Sequence, residues 1–146
     1  MPGKKILMLT GDFTEEYEIF VIQQGMEAVG HTVHVICPDK KKGDILKTSL
    51  HDFEGHQTYT EKLGHDFVIN KTFSEVSPEE YDAVYCAGGR GPEYIRTDKR
   101  IQALVRHFMR RKSQSSQYAT ACRYLLQSTA WCAERKWQRW ALVSQR

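Results

Sequence analysis

The sequence predicts an α/β fold with a parallel sheet. Two features carry that prediction, short apolar runs ended by glycine or proline and a helix-period segment between the first two runs, and a change of composition near Lys112 marks where it stops. Lys5-Ile6-Leu7-Met8-Leu9-Thr10 is an apolar run stopped by Gly11-Asp12, the pattern of a strand buried on both faces. Ile19, Ile22, Met26 and Val29 then recur at helical spacing, behind an acidic first turn of Glu15, Glu16 and Glu18 and ahead of Gly30, where a C-terminal cap belongs. Thr32-Val33-His34-Val35-Ile36 reads as the second strand, ending before Pro38, so the chain opens on a βαβ unit. Residues 47–73 interrupt the alternation, and the β-like pieces at 51–56 and 67–70 predict an excursion of small strands. Ala83-Val84-Tyr85-Cys86 is the next buried strand and runs into Ala87-Gly88-Gly89-Arg90-Gly91-Pro92. Ile101, Leu104, Val105 and Phe108 then mark an amphipathic helix that closes on Arg110-Arg111-Lys112.

The second part of the chain has a different character. All ten glycines and all four prolines precede Glu93, whereas all three tryptophans follow Ala130. Residues 113–146 hold five glutamines and no Gly, Pro, Asp, Asn, Ile, Phe, Met or His, a poor supply for turns and buried strands. The expected division is therefore a partial α/β domain over 4–112 and a tail over 113–146, poorly ordered or in short helices. Arg123, Arg135, Lys136, Arg139 and Arg146 against Glu134 give that tail a net charge of +4, which leaves −1 of the total of +3 for residues 1–112. A nearly neutral domain gives no electrostatic footprint for nucleic acid, and the basic tail reads as a solvated charge run. No apolar run approaches the roughly 20 residues a spanning helix needs, and Met1-Pro2-Gly3-Lys4-Lys5 leads directly into a strand rather than a signal sequence. A cytoplasmic protein without membrane contact is expected, and Asn70-Lys71-Thr72 is a glycosylation sequon by spelling only.

Chemistry is expected at one edge of the sheet. Ligands of open α/β sheets sit at the carboxyl ends of the strands, where Asp12, Glu18 and residues 88–93 converge. A glycine pair permits both a tight bend and a close backbone approach to a developing oxyanion. His51, His56 and His65 lack a tight ligand spacing, and the four cysteines form no CxxC pair or zinc pattern, so neither a metal nor an organic cofactor is expected. Reduced thiols are expected rather than a disulfide frame, and Cys86, ending a strand, reads as an inert core thiol.

Three separated motifs carry a resemblance: Gly11-Asp12-Phe13 through Tyr17-Glu18, His51-Asp52-Phe53-Glu54-Gly55-His56-Gln57-Thr58-Tyr59, and Gly88-Gly89-Arg90-Gly91-Pro92-Glu93-Tyr94. Over residues 4–112 the chain resembles the DJ-1/PfpI family, in particular its PfpI-type and plant DJ-1-like branch. The resemblance implies a flavodoxin-like, doubly wound parallel sheet of the class I glutamine amidotransferase-like kind. It also implies a cysteine nucleophile on a strand-to-helix turn, in a motif of the type Ala-Ile-Cys-His-Gly. Peptidase, deglycase, glyoxalase and chaperone activities are described for the family, acting on small carbonyl compounds or peptides, and its members commonly form homo-oligomers. For this chain it implies that Glu18 hydrogen-bonds the thiol and that the Gly88 and Gly89 N–H groups form the oxyanion hole. Glu93 would reach the site of a neighbouring subunit.

The nucleophile itself is missing, because the chain contains no Cys-His dipeptide. Cys122 and Cys132 have no adjacent histidine to lower a thiol pKa. Codons allowed for residues 117–127, read from the third base of the first codon, can spell ICHGMQVLAA, the family's nucleophile turn in its proper place. The tail is therefore expected to be a frameshifted reading, and the chain a C-terminally truncated, catalytically inactive member. The alternative function is a non-catalytic interaction or holdase module.

Overall fold

The computed structural model describes residues 3–55 and 58–110. Its centre is a three-stranded parallel sheet of β1 (Lys5–Leu9), β3 (Thr32–Ile36) and β8 (Ala83–Cys86), in the order β3-β1-β8. Leu7 of β1 lies between His34 and Val84 in register, and every strand of this sheet runs the same way. Side chains alternate along β1, so Ile6 and Met8 face one side while Leu7 and Leu9 face the other. Helix α1 (Glu16–Ala28) covers the first side with Ile19, and α3 (Lys99–Arg110) covers the second with Ile101, Leu104, Val105 and Phe108. This is the flavodoxin-like, two-sided burial that near-continuous apolar strands require. Each such fully buried side chain contributes about 1.5–3 kcal/mol relative to exposure.

Helix α1 departs from expectation at one residue. Ile19 is buried and Ile22 and Met26 pack at the core margin, but Val29 caps the helix and is 69% exposed. The chain reverses there: Gly30, at φ +88°, donates to Glu27 O at 2.9 Å, and His31 N–H donates to Met26 O at 3.0 Å. These two bonds form a Schellman cap, which needs a left-handed residue and turns Val29 off the core face.

The excursion between β3 and β8 is made of short strands, as expected. After β2 (Thr14–Glu15) and β4 (Ile45–Leu46), β5 (Thr48–Gly55) and β6 (Thr58–Leu63) form an antiparallel hairpin. β2 pairs parallel with β5, and β4 pairs with β7 (Phe67–Val68). Asn70 follows β7 and serves the outer edge of β3: its Oδ1 accepts the Val35 N–H at 2.6 Å and its Nδ2 donates to Val33 O at 2.8 Å. Both ends of the amide are thus engaged in a structural role. The short helix α2 (Gly91–Ile95) joins β8 to α3. Among the described residues β8 pairs with β1 alone. The expected tail, 113–146, lies outside the described residues, with Cys122 and Cys132 in it, and so does His56.

Candidate functional site

Glu18 sits in the first turn of α1, within hydrogen-bond reach of the turn that follows β8. The Gly88 N–H donates to Glu18 Oε2 at 2.5 Å, joining residues 70 positions apart in sequence. A Cβ on Gly88 would stand 2.8 Å and 2.9 Å from the two carboxylate oxygens, so any other residue would push the Glu18 side chain out of this contact. Gly89 follows at φ +72°, again a conformation that favours glycine. The turn is fastened to the start of α1 by two backbone bonds, Glu15 N–H to Gly88 O at 3.2 Å and Arg90 N–H to Phe13 O at 3.0 Å. Among the described residues, no carbonyl or side chain accepts the Gly89 N–H.

The expected residues are therefore only partly assembled. Glu18, Gly88 and Gly89 form one cluster, with the Gly88 N–H already committed to Glu18. Glu93 stands apart on α2, half exposed, with its carboxylate 3.2 Å from Arg96 Nε. The Oδ1 of Asp12 accepts the Lys47 N–H, between β4 and β5, at 3.1 Å and pairs with Lys40, in the loop after β3, at 3.3 Å. Cys37 is a buried thiol whose pKa is pushed up to about 12 by burial, so it carries no thiolate near neutrality. Cys86 is buried at the end of β8 and is disulfide-bonded, which corrects the expectation of a free, reduced thiol there.

Two groups near Glu18 were not singled out from the sequence. Tyr85, the penultimate residue of β8, lies against Glu18. Its phenol is pushed up to about 12 by burial, and then by the Glu18 charge and the hydrogen bond between them. A phenol held neutral at physiological pH is a hydrogen-bond donor to that carboxylate. The second is a line of charges, Glu15, His51, Glu61 and Arg90, that runs from the turn through the hairpin. Neither had a local signature, because Tyr85 looks like any aromatic in a buried strand and the line draws on segments far apart in sequence. At the start of α1, Glu16 is held below the usual carboxylate range by the His65 N–H, against the opposing effect of burial.

A parallel α/β sheet flanked by helices, with a helix-borne carboxylate gripping a glycine turn at a strand's carboxyl end, defines a flavodoxin-like domain with a strand-end site. A model of the DJ-1/PfpI family matches residues 4–137, a span that runs past Lys112. The chain belongs to that family. Protein DJ-1 homolog D of Arabidopsis thaliana is 47% identical over 108 residues, covering 74% of this chain and 28% of the relative. Protein/nucleic acid deglycase 2 of Escherichia coli is 31% identical over 107 residues, covering 73% of this chain and 54% of the relative. The matched part of the chain thus spans between 26% and 28% of the length of three Arabidopsis relatives. In structure the chain is similar to oxidized DJ-1 of Toxoplasma gondii, with a TM-score of 0.58 and 21% identity over 75% of this chain and 52% of that one. No helix among the described residues is long and apolar enough to cross a membrane.

Proposed function

We propose that this chain carries the carbonyl-handling half of a DJ-1/PfpI thiol site and, as written, does not turn over substrate. The observation that carries the reading is the Glu18–Gly88 contact, which sets a carboxylate and a glycine turn at the carboxyl end of β8. In such a site a cysteine thiolate adds to a carbonyl carbon, of a 2-oxoaldehyde, a glycated adduct or a peptide. The carbonyl oxygen becomes an oxyanion held by backbone N–H groups. Glu18 would accept a hydrogen bond from the thiol, and the open Gly89 N–H is the donor available to the oxyanion. Glu93, if the chain assembles with copies of itself, would serve a neighbouring site. Support for the substrate class comes from the relative named as a deglycase of proteins and nucleic acids.

The absence of any Cys-His dipeptide favours inactivity, since without the attacking group the covalent route is closed. Expressed as written, the chain should consume methylglyoxal no faster than a buffer blank. Consumption above the blank that Cys122→Ala abolishes would mean that another thiol has taken over. Restoring the alternative frame after Lys112 should produce an active enzyme, in which Glu18→Ala lowers the rate and shifts the pH profile of the thiol. An unchanged profile in that variant would remove Glu18 from the site. The same absence favours the second reading, an interaction or holdase module. Suppression of the aggregation of a heat-denatured client by the unmodified chain, with no turnover, is its expected signature.

A further inference from the structure

The β5–β6 hairpin brings a line of alternating charges to the turn that holds the proposed oxyanion donor. His51 Nδ1 meets Glu15 Oε2, which also accepts the His51 backbone N–H at 3.2 Å. His51 Nε2 lies 2.9 Å from Glu61 Oε2, its cross-strand partner in register. Glu61 Oε1 in turn lies 2.6 Å from the Arg90 guanidinium, which rests over the Phe13 ring at 4.6 Å. The side chains of His51 and Glu15 are each only 14% exposed.

This geometry determines a protonation state. A neutral imidazole has one N–H and one bare nitrogen, and a carboxylate can only accept. With a carboxylate facing each ring nitrogen, both contacts are hydrogen bonds only when the ring is doubly protonated. Burial pulls the His51 pKa down, but the hydrogen bonds and charges of Glu15 and Glu61 outweigh it and the pKa is raised. Among the described residues, Glu16 pairs with His65 at the start of α1 and Asp52 with Lys62 on the hairpin.

Both ends of the line are built into the turn. Glu15 donates its backbone N–H to Gly88 O, and Arg90, next to Gly89, donates to Phe13 O. Resting on the site reading above, we propose that His51, as an imidazolium, is a positioning residue that clamps the Gly88–Gly89 turn against Glu18. Loss of the proton sets a bare ring nitrogen against one of the carboxylates. Either Glu15 or Glu61 then loses its hydrogen bond to the ring; Glu61 keeps Arg90 and Glu15 keeps the His51 backbone N–H, but the line that ties Glu15 to Arg90 is broken at the imidazole. A raised pKa means the clamp is fully present below the ordinary imidazole value of 6.5 and is lost as pH rises through the folded value. The turn is thus clamped below the folded-state midpoint of His51, which lies above 6.5, and relaxes as pH rises through it.

The test is a pH titration of the full chain, isotopically labelled, following the His51 ring and the Gly88 and Gly89 amides by NMR. The ring midpoint is expected above 6.5, with the two amides shifting at that same midpoint. Glu61→Gln, which keeps the Glu15 bond, should lower the ring and amide midpoints together, and His51→Gln should abolish the amide transition. Amides that stay flat through the His51 titration would overturn the proposal, as would amides whose midpoint stays put when Glu61→Gln moves the ring. The readout needs no turnover, so an inactive chain that shows the coupled midpoints sustains the clamp even if the assignment of the chemistry fails.

Discussion

Helices α1 and α3 cover opposite faces of one sheet, yet they are built on different terms. Helix α3 divides cleanly, with Ile101, Leu104, Val105 and Phe108 inward and Lys99, Arg100 and Arg110 at the surface. Helix α1 buries only Ile19 fully, and its solvent face carries Tyr17, Val21, Gln24, Gly25 and Ala28 with Glu27 as the one charge. The difference teaches that α3 is held by packing, whereas α1 is held largely by what its first turn grips. That grip is Glu18 on Gly88, Glu16 on the His65 N–H, and Glu15, just before the helix, on Gly88 O and His51.

Substitutions can break that contrast. Phe108→Ala, which opens a cavity between α3 and the sheet, should cost about 3–5 kcal/mol in denaturant-measured stability. A cost like that of a surface change would show that α3 is not the packing helix. Gly88→Ala comes next. It drives a Cβ into the Glu18 carboxylate and should cost about 1–3 kcal/mol, with the Glu18 carboxyl resonance moving in the same variant. Gly25→Ala should act in the opposite direction. A Cβ there meets nothing within 4 Å, so the variant should stabilise by about 0.5–1 kcal/mol through helix propensity alone. The smallest effect is expected at Val21→Ser on the exposed face of α1, within about 0.5 kcal/mol of the parent. A loss well beyond that would mean this face is covered in solution, and sedimentation of the same variant would show whether assembly changed with it.

Much of the scaffold could be read from the amino-acid order, because strand burial and helix amphipathicity repeat over a few residues. The runs at 5–9, 32–36 and 83–86 became the parallel sheet, the apolar stripe of α3 was located residue by residue, and Gly30 marked the cap of α1. Glu18 and Gly88-Gly89 were legible too, though as motifs rather than as a contact. Val29 was misassigned because helical spacing continues on paper past the point where a left-handed glycine reverses the chain.

What only the tertiary structure decided lies between segments. Nothing local marks Tyr85 as the neighbour of Glu18, or His51 as the bridge between Glu15 and Glu61, since a side chain's charge state depends on groups that the fold brings from elsewhere. The fold also decided that Glu93 pairs with Arg96 on α2, and that the Gly88 N–H is spent on a carboxylate. Periodicity is a property of a single element, and so it survives in the sequence. Hydrogen bonds and ion pairs across elements depend on how strands order and register, and those are set by burying the faces of the sheet as a whole.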